Sequence, residues 1–382
     1  MFCSGSILQT FMISLNISDT TISFYNALIQ LSQAIAIVVM VFVADKIRKT
    51  IKSFSLIVLS ISIIAISLFI CLFIRSDILA VKLVIFISSA FTYMLIGIRF
   101  SLDYRVLYEI FDVKSTGKIL GLAMAISGLA SFGLSALYSY TVAIYNYYDV
   151  MIYFFAFAMF CIILSSVISG FFKKTTETKP KQHKGLDFDA FKNKTILSFT
   201  IPSFARGFAA GIISLVTVVG FSKGILSVKT ATYVTLVAQI TSFMGNMLFS
   251  FLNKKIKAHI TILLFSIILA IALPLTLVSG ELILFLVFYA IVNFSLMIVN
   301  ISVPILGYDV IPYNQIGSFT CVRLMIQMIG SVVASLTYKP LSNLVGYLWL
   351  FVITSVVQII CGLSHFLVVK KAKKQQIELQ QQ

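Results

Sequence analysis

An arginine stands near the middle of a long apolar stretch in the second half of the chain. The stretch reads IPSFARGFAAGIISL over residues 201–215, and Arg206 is its only charged residue. An arginine near the centre of a bilayer costs about 2.5–3.5 kcal/mol on insertion scales. We therefore expect its guanidinium to face the protein interior and meet a backbone carbonyl, a polar side chain of another helix or an anionic substrate. The alternative is a side chain that snorkels to the membrane interface.

Uncharged polar side chains are scattered through the other apolar stretches. An amide offers both a donor and an acceptor, which suits hydroxyl-rich or amide-bearing solutes. Hydrogen bonding between helices explains any single amide equally well. Besides Arg206, the candidates for contact with a solute are Gln9, Asn26, Gln30, Gln33, Tyr93, Gln239, Asn293, Asn300 and Gln327.

The chemistry of an enzyme is not evident in the sequence. Ser, His and carboxylate residues do not converge into a hydrolytic triad, and a phosphate-binding loop is missing. The five cysteines stand at irregular spacing, which fits neither a metal cluster nor a disulfide framework. We therefore expect neither enzyme activity nor a cofactor or metal.

The thirteen acidic residues all fall in predicted loops, tails or helix ends. A proton-coupled transporter usually places an Asp, Glu or His within the membrane, because the carrier must titrate in the pathway. This distribution favours uptake, facilitation or exchange over proton-coupled efflux and leaves a coupling ion unspecified.

The composition is that of a membrane protein. The chain has 382 residues, of which 59% are hydrophobic and 11% charged, and its mean hydropathy is +1.03. Soluble domains carry roughly a quarter charged residues. Apolar stretches of about 20 residues, the length of a transmembrane helix, recur throughout. They predict an all-α polytopic membrane protein with twelve spans, near 1–15, 21–44, 53–74, 78–98, 118–141, 150–172, 195–220, 230–252, 259–279, 281–306, 318–338 and 345–369.

The distribution of basic residues predicts the orientation in the membrane. Alternate loops and the C-terminal tail hold 23 Lys and Arg, and the loops of the opposite side hold 5. Because cytoplasmic loops accumulate Lys and Arg, the central loop and the C-terminus are expected in the cytoplasm. Topology thereby accounts for the net charge of +16 without a nucleic-acid partner.

One long polar loop divides the chain. It reads KKTTETKPKQHKGLDFDAFKNK and separates two sets of six spans. The first span is short, so the start of its helix is expected to be missing, with a re-entrant segment as the alternative. The predicted units are a six-helix bundle over 1–172, a cytoplasmic linker over 173–194, a second bundle over 195–369 and a basic tail over 370–382.

The two halves resemble each other in sequence. Shifted by 204 positions, residues 104–131 align with residues 308–335 without a gap, and eight of 28 positions are identical. A shift of 209 aligns Gln30 with Gln239. Two stretches that agree on nearly the same shift indicate a duplicated six-helix unit, as many transporters have.

The loop after the second span carries a family motif in part. It reads VFVADKIRKTIK over 41–52, in which Asp45, Lys46 and Lys49 match an acidic and two basic positions. Val41 and Arg48 replace the motif's two glycines. With twelve spans, a basic central loop and duplicated halves, the chain resembles the major facilitator superfamily over its whole length.

The resemblance implies two pseudo-symmetric six-helix bundles around a cavity that opens alternately to each side. It also implies a latch on the cytoplasmic side, in which Asp45, with Lys46 and Lys49, would face Arg99 or Arg105. A solvated loop that only retains the chain's orientation is the alternative for these residues.

The expected function is secondary or facilitative transport of a small polar or organic solute, anionic or hydroxyl-rich, by a monomer in a bacterial plasma membrane. Proton-coupled multidrug efflux is one alternative, although the predicted fifth helix has glycines without the proline of that group's motif. The others are a lipid-linked oligosaccharide flippase, which should carry more basic residues within its helices, and a membrane protein that does not transport.

Overall fold

The computed structural model describes residues 6–43, 47, 49–70, 73, 77–110, 113–172, 194–252, 255–278, 280–310 and 316–380. Throughout these ranges the regular secondary structure is helical. The prediction of an all-α fold is confirmed.

The first bundle contains six helices in the part of the chain that the structure describes. They run back and forth between the side that holds the linker, called the linker side, and the opposite side, called the far side. They are α1 (Ser6–Ser14), α2 (Asp19–Val43), α3 (Thr50–Ile70), α4 (Ile78–Ile110), α5 (Val113–Ile144) and α6 (Tyr147–Gly170).

Polar side chains fix the far-side starts of two of these helices. The Oδ1 atom of Asp77 accepts hydrogen bonds from the N–H groups of Leu79 (3.1 Å) and Ala80 (3.0 Å) at the start of α4. Asn146 Oδ1 accepts from the N–H of Tyr148 (2.9 Å) at the start of α6. These bonds satisfy first-turn N–H groups that lack an acceptor within the helix.

The second bundle begins after the linker, and its first predicted span is broken. Three short helices replace it, with breaks at Phe199 and at residues 214–215. The described helices are α7 (Lys194–Ser198), α8 (Thr200–Ile213), α9 (Val216–Ser222), α10 (Ala231–Leu252), α11 (Ala258–Val278), α12 (Leu282–Val310) and α13 (Ile316–Gln380).

The last two predicted spans follow each other in α13. Gly346 separates them with φ 81° and ψ 162°, a left-handed backbone conformation that glycine adopts without a steric penalty. We call residues 316–345 the first arm and residues 347–380 the second arm. The predicted basic tail over 370–382 begins within the second arm, which is helical as far as Gln380.

Two helices extend beyond the spans predicted from hydropathy. The predicted loop over 99–118 is helical in α4 up to Ile110 and in α5 from Val113. Hydropathy marks only the apolar part of a helix, whereas backbone hydrogen bonds continue into polar sequence. Arg99 and Arg105 therefore lie on a helix and not in a loop.

The helices are long and apolar enough to cross a membrane. Eight stretches of the described residues meet that standard, and the last of them, Phe319–Lys371, contains most of both arms of α13. The stretch Tyr147–Gly170 has a mean hydropathy of 2.5, and only 17% of its most apolar part is buried. Such exposed apolar surface is stable in lipid, where a helix satisfies its own backbone groups. The protein is therefore a multi-pass membrane protein.

The order of packing repeats in the two bundles. In the first, α4 packs against α2 and α3, and α3 also packs against α6. In the second, α12 packs against α10 and α11, and α11 also packs against α13. Equivalent helices thus have equivalent neighbours, as a duplicated unit requires. Between the bundles, α2 packs against α13, α5 against α10, and α1 against α9 and α10.

Two hydrophobic cores lie at different depths. The far-side core contains residues of both bundles, among them Phe11 and Tyr25 of the first and Val216 and Tyr338 of the second. The described residues of the linker-side core, such as Phe199, all belong to the second bundle. Among the described residues, the far-side core thus joins the two bundles.

Candidate solute-binding site

Arg206 lies on α8 and points into the second bundle. Only 4% of its surface is exposed, and its Nη2 donates a hydrogen bond to Oδ1 of Asn300 on α12. The guanidinium therefore does not snorkel to the membrane interface. Of the contacts expected from the sequence, the structure provides a polar side chain of another helix.

The two faces of α8 explain this orientation. Ile201 is 69% exposed and Phe204 is 38% exposed on one face, whereas Ser203, Arg206 and Ala209 are buried on the other. An apolar face toward lipid and a polar face toward protein place the one charged side chain of α8 inside the bundle.

Tight packing holds α8 against the first arm of α13. The hydroxyl of Ser331 donates to the backbone oxygen of Gly207 at 2.8 Å. A Cβ atom added at Gly207 would lie 1.8 Å from the backbone oxygen of Gln327, and one at Gly211 would lie 2.7 Å from Cβ of Ala334. The two glycines let the backbones approach, and this approach fixes the depth at which Arg206 enters the bundle.

Further polar residues gather near Arg206 inside the second bundle. His365 on the second arm is fully buried, and its Nδ1 lies 2.8 Å from the backbone oxygen of Cys361. Cys361 Sγ donates to the backbone oxygen of Pro202 at 3.4 Å. His365 lies within electrostatic range of both Arg206 and Arg323. We call Arg206, Asn300, Arg323, Cys361 and His365 the buried polar cluster.

The sequence analysis missed three members of this cluster. Arg323, Cys361 and His365 were not among its site candidates. The structure places Arg323 on α13 with 6% of its surface exposed, and it buries Cys361 and His365 fully. Their spacing carried a signal, because Gln358, Cys361 and His365 stand at i, i+3 and i+7 on one helix face.

Gln327 is the other sequence candidate near the cluster. It is half-buried on α13, and its Oε1 accepts from Nη1 of Arg323 at 3.4 Å. Asn293 on α12 is buried, but its Nδ2 donates to the backbone oxygen of Tyr289 in its own helix at 3.1 Å. Asn293 therefore makes a local helix contact in this conformation.

The candidates on α2, α4 and α10 lie outside the buried polar cluster. Asn26 and Gln33 are buried on α2, and Gln30 is half-buried beside them. Tyr93 on α4 and Gln239 on α10 are also half-buried. These residues come from both bundles, and their role in binding stays a prediction.

Gln9 belongs to a group of polar contacts that join the bundles on the far side. Its Nε2 donates to the backbone oxygen of Ser214 at 3.1 Å, at the break between α8 and α9. Asp19 at the start of α2 forms an ion pair with Lys339 of α13 at 3.8 Å and accepts a hydrogen bond from Ser222 of α9. We call Asp19, Ser222 and Lys339 the far-side latch.

The predicted linker-side latch is only partly covered by the structure. Asp45, Lys46 and the side chain of Arg105 lie outside the described residues. Lys49 is exposed, and the guanidinium of Arg99 lies 5.6 Å from the ring centroid of Phe54 on α3. This cation–π contact anchors Arg99 within the first bundle.

Comparison with known proteins agrees with the architecture. A family model described as Major Facilitator Superfamily matches residues 1–335. No curated protein matches the sequence.

Two solved structures share the fold over nearly the whole chain. The crystal structure of a D-xylose-proton symporter is 14% identical and has a TM-score of 0.68, with coverage of 94% of this chain and 91% of that one. The E. coli fucose:proton symporter is 12% identical and has a TM-score of 0.59, with coverage of 97% and 99%. Identities this low show a common fold.

Proposed function

The chain belongs to the Major Facilitator Superfamily, and from this premise we propose that it moves a small polar or organic solute across a membrane by alternating access. The moving units are the bundles over 1–172 and 195–369, joined by the linker over 173–194.

The observation that carries this proposal is the contact between the two bundles on the far side. One hydrophobic core and the far-side latch join them there. This contact supports a state that is closed on the far side, which is one end state of alternating access.

The buried polar cluster is the proposed contribution of the second bundle to solute binding. Arg206 and Asn300 form a donor–acceptor pair, and both can also bond to a solute hydroxyl or carboxylate. Among the described residues, Nε2 of His365 has no hydrogen-bond partner, so it remains able to bond to a solute or water. Gln30, Gln33 and Tyr93 are the proposed contribution of the first bundle.

The proposed solute is hydroxyl-rich or anionic. The guanidinium and the amides favour both classes over an apolar drug, because an apolar solute would leave buried polar groups without partners. The two structural neighbours are named as sugar symporters, which supports the hydroxyl-rich class. The proposal keeps the orientation expected from the basic loops, with the linker on the cytoplasmic side of a plasma membrane.

A counterflow screen tests the function directly. Purified protein in liposomes preloaded with an unlabelled solute should accumulate the same labelled solute, tested for pentoses, hexoses, polyols and small carboxylates. Repeating the screen with and without a proton or sodium gradient identifies coupling. A protein that exchanges no member of the panel in any gradient would contradict the proposed solute class.

A further inference from the structure

An apolar groove runs along the outer surface of the second bundle. Its walls are α8 and the two arms of α13, and it encloses a cavity of about 540 Å³. The lining residues that define it are Ile201, Phe204, Phe208, Ile326, Ile353 and Ile360. We call it the α8–α13 groove.

The groove opens to the surroundings of the protein and not to its interior. Ile201 is 69% exposed, Ile360 is 45% exposed and Ile353 is 37% exposed. In a membrane protein, such a surface faces the hydrocarbon of the bilayer. From Ile201 to Phe208 the groove follows α8 for about 10 Å, and on the second arm it extends from Ile353 to Ile360 over a similar length. Its apolar lining suits an acyl chain.

Exposed lysines stand at the linker-side end of both walls. Lys371 comes eighteen residues after Ile353, which is five full turns of an α-helix, so both lie on one face of the second arm. Lys194 stands at the start of α7, seven residues before Ile201 and on the other side of the break at Phe199. Both lysines are exposed. Each wall of the groove is therefore followed, toward the linker side, by an exposed lysine.

We infer that the α8–α13 groove binds an anionic phospholipid of the linker-side leaflet. The acyl chain fills the groove, and the phosphate-bearing headgroup lies between Lys194 and Lys371. A zwitterionic lipid would fill the same groove without gaining from the second cation, and a second copy of the chain would leave the lysines without a matching charge. The inference concerns the lipid-facing surface and holds for any transported solute.

The single tryptophan allows a sharp measurement. Trp349 lies one turn before Ile353 on the second arm, so it is first replaced by phenylalanine. Phe204→Trp then places the only fluorophore in the groove. In liposomes, brominated phosphatidylglycerol in unlabelled phosphatidylcholine should quench this tryptophan more strongly than brominated phosphatidylcholine in unlabelled phosphatidylglycerol at equal mole fraction.

Phe160→Trp is the matched control. Phe160 is exposed on α6, ten residues before Gly170 at the linker-side end, just as Phe204 lies ten residues after Lys194. Its quenching should follow the bulk lipid composition. Ile360→Trp, on the opposite wall, repeats the groove measurement, so that the result does not depend on the folding of one variant.

The lysines are tested on the same reporters. Lys194→Gln and Lys371→Gln should each lower the preference for phosphatidylglycerol by about five-fold, and Lys255→Gln, an exposed lysine on the same side, should leave it unchanged. Equal quenching by both lipids in the groove would overturn the anionic headgroup. Quenching at Phe160→Trp but at neither groove reporter would overturn lipid binding and indicate that protein covers the groove.

Discussion

The guanidinium of Arg206 is a positive charge buried inside the second bundle. Burial removes its hydration, and hydrogen bonds must replace that water because a buried charge otherwise costs several kcal/mol. Asn300 on α12 supplies one of these bonds. The pair links two helices of one bundle. It can therefore form hydrogen bonds to a solute, and it can also hold α8 and α12 at a fixed distance.

Replacing Arg206 separates these two roles. Arg206→Gln should reduce counterflow at least about ten-fold through the loss of a charge-assisted bond to the solute, while the purified variant keeps its helicity and monodispersity. Ser302→Ala is the control, because Ser302 is buried two residues from Asn300 and its hydroxyl bonds only to Ile298 of its own helix. Normal counterflow by a well-folded Arg206→Gln protein would show that Arg206 does not contact the solute.

At the scale of the helix, the contact between α8 and α13 carries the structure around the cluster. Ser331, Gly207 and Gly211 bring the backbones together, and the same contact sets the separation of the groove walls. After the end of α8, the hydroxyl of Ser214 donates to the backbone oxygen of Gly211 at 2.7 Å. The backbone oxygen of Ser214 accepts a hydrogen bond from Nε2 of Gln9. The break in the predicted seventh span is thus tied to a contact with the first bundle.

Two glycine substitutions test the packing. Gly207→Ala should lower the thermal stability of the purified protein by several degrees and impair transport, because its Cβ would lie 1.8 Å from a backbone oxygen and the helices must separate. Gly133→Ala on α5 meets no atom within 4 Å and should be neutral or slightly stabilising. A melting temperature for Gly207→Ala equal to that of the Gly133→Ala control would contradict the close approach.

Most of the helices could be predicted from the sequence, because the length of an apolar stretch alone identifies a membrane helix. The α-helical fold and the inward direction of Arg206 follow from the cost of placing polar groups in hydrocarbon. The partner of Arg206 and the contact of Gly207 with Gln327 could not be predicted, because they depend on packing between segments that are far apart in the chain. The break at residues 214–215 was also missed, because it contains neither proline nor glycine.

At the scale of the whole molecule, a far-side core joins the two bundles. It includes residues of α1, α2, α4, α5 and α6 together with residues of α8 to α13. The Asp19–Lys339 ion pair is partly exposed, with 27% and 30% of the side chains accessible, so it contributes about 0–1 kcal/mol. An ion pair this weak, beside an apolar contact, is compatible with a gate that opens in each cycle of the proposed transport.

Repeated packing in the two bundles would give the proposed gate its mechanical basis. Contacts such as those between Ser55 and Ser166, which bond reciprocally at 2.8 and 2.9 Å, hold α3 to α6 within one bundle. Cross-bundle contacts include the single bond from the Ser139 hydroxyl to the backbone oxygen of Thr232, at 3.3 Å. We therefore expect each bundle to move as a unit and the contacts between bundles to change.

Reversible crosslinking of the far-side latch tests this account most directly. In a protein that keeps the buried Cys361 and lacks its other native cysteines, Asp19→Cys with Ser222→Cys is joined by a short reversible thiol crosslinker, and counterflow of the solute that the screen identifies is measured before and after. Transport should stop on crosslinking and return on reduction. Crosslinking Ser55→Cys with Ser166→Cys inside the first bundle should leave the transport rate unchanged. Transport that continues at full rate through a crosslinked far side would contradict alternating access by the two bundles.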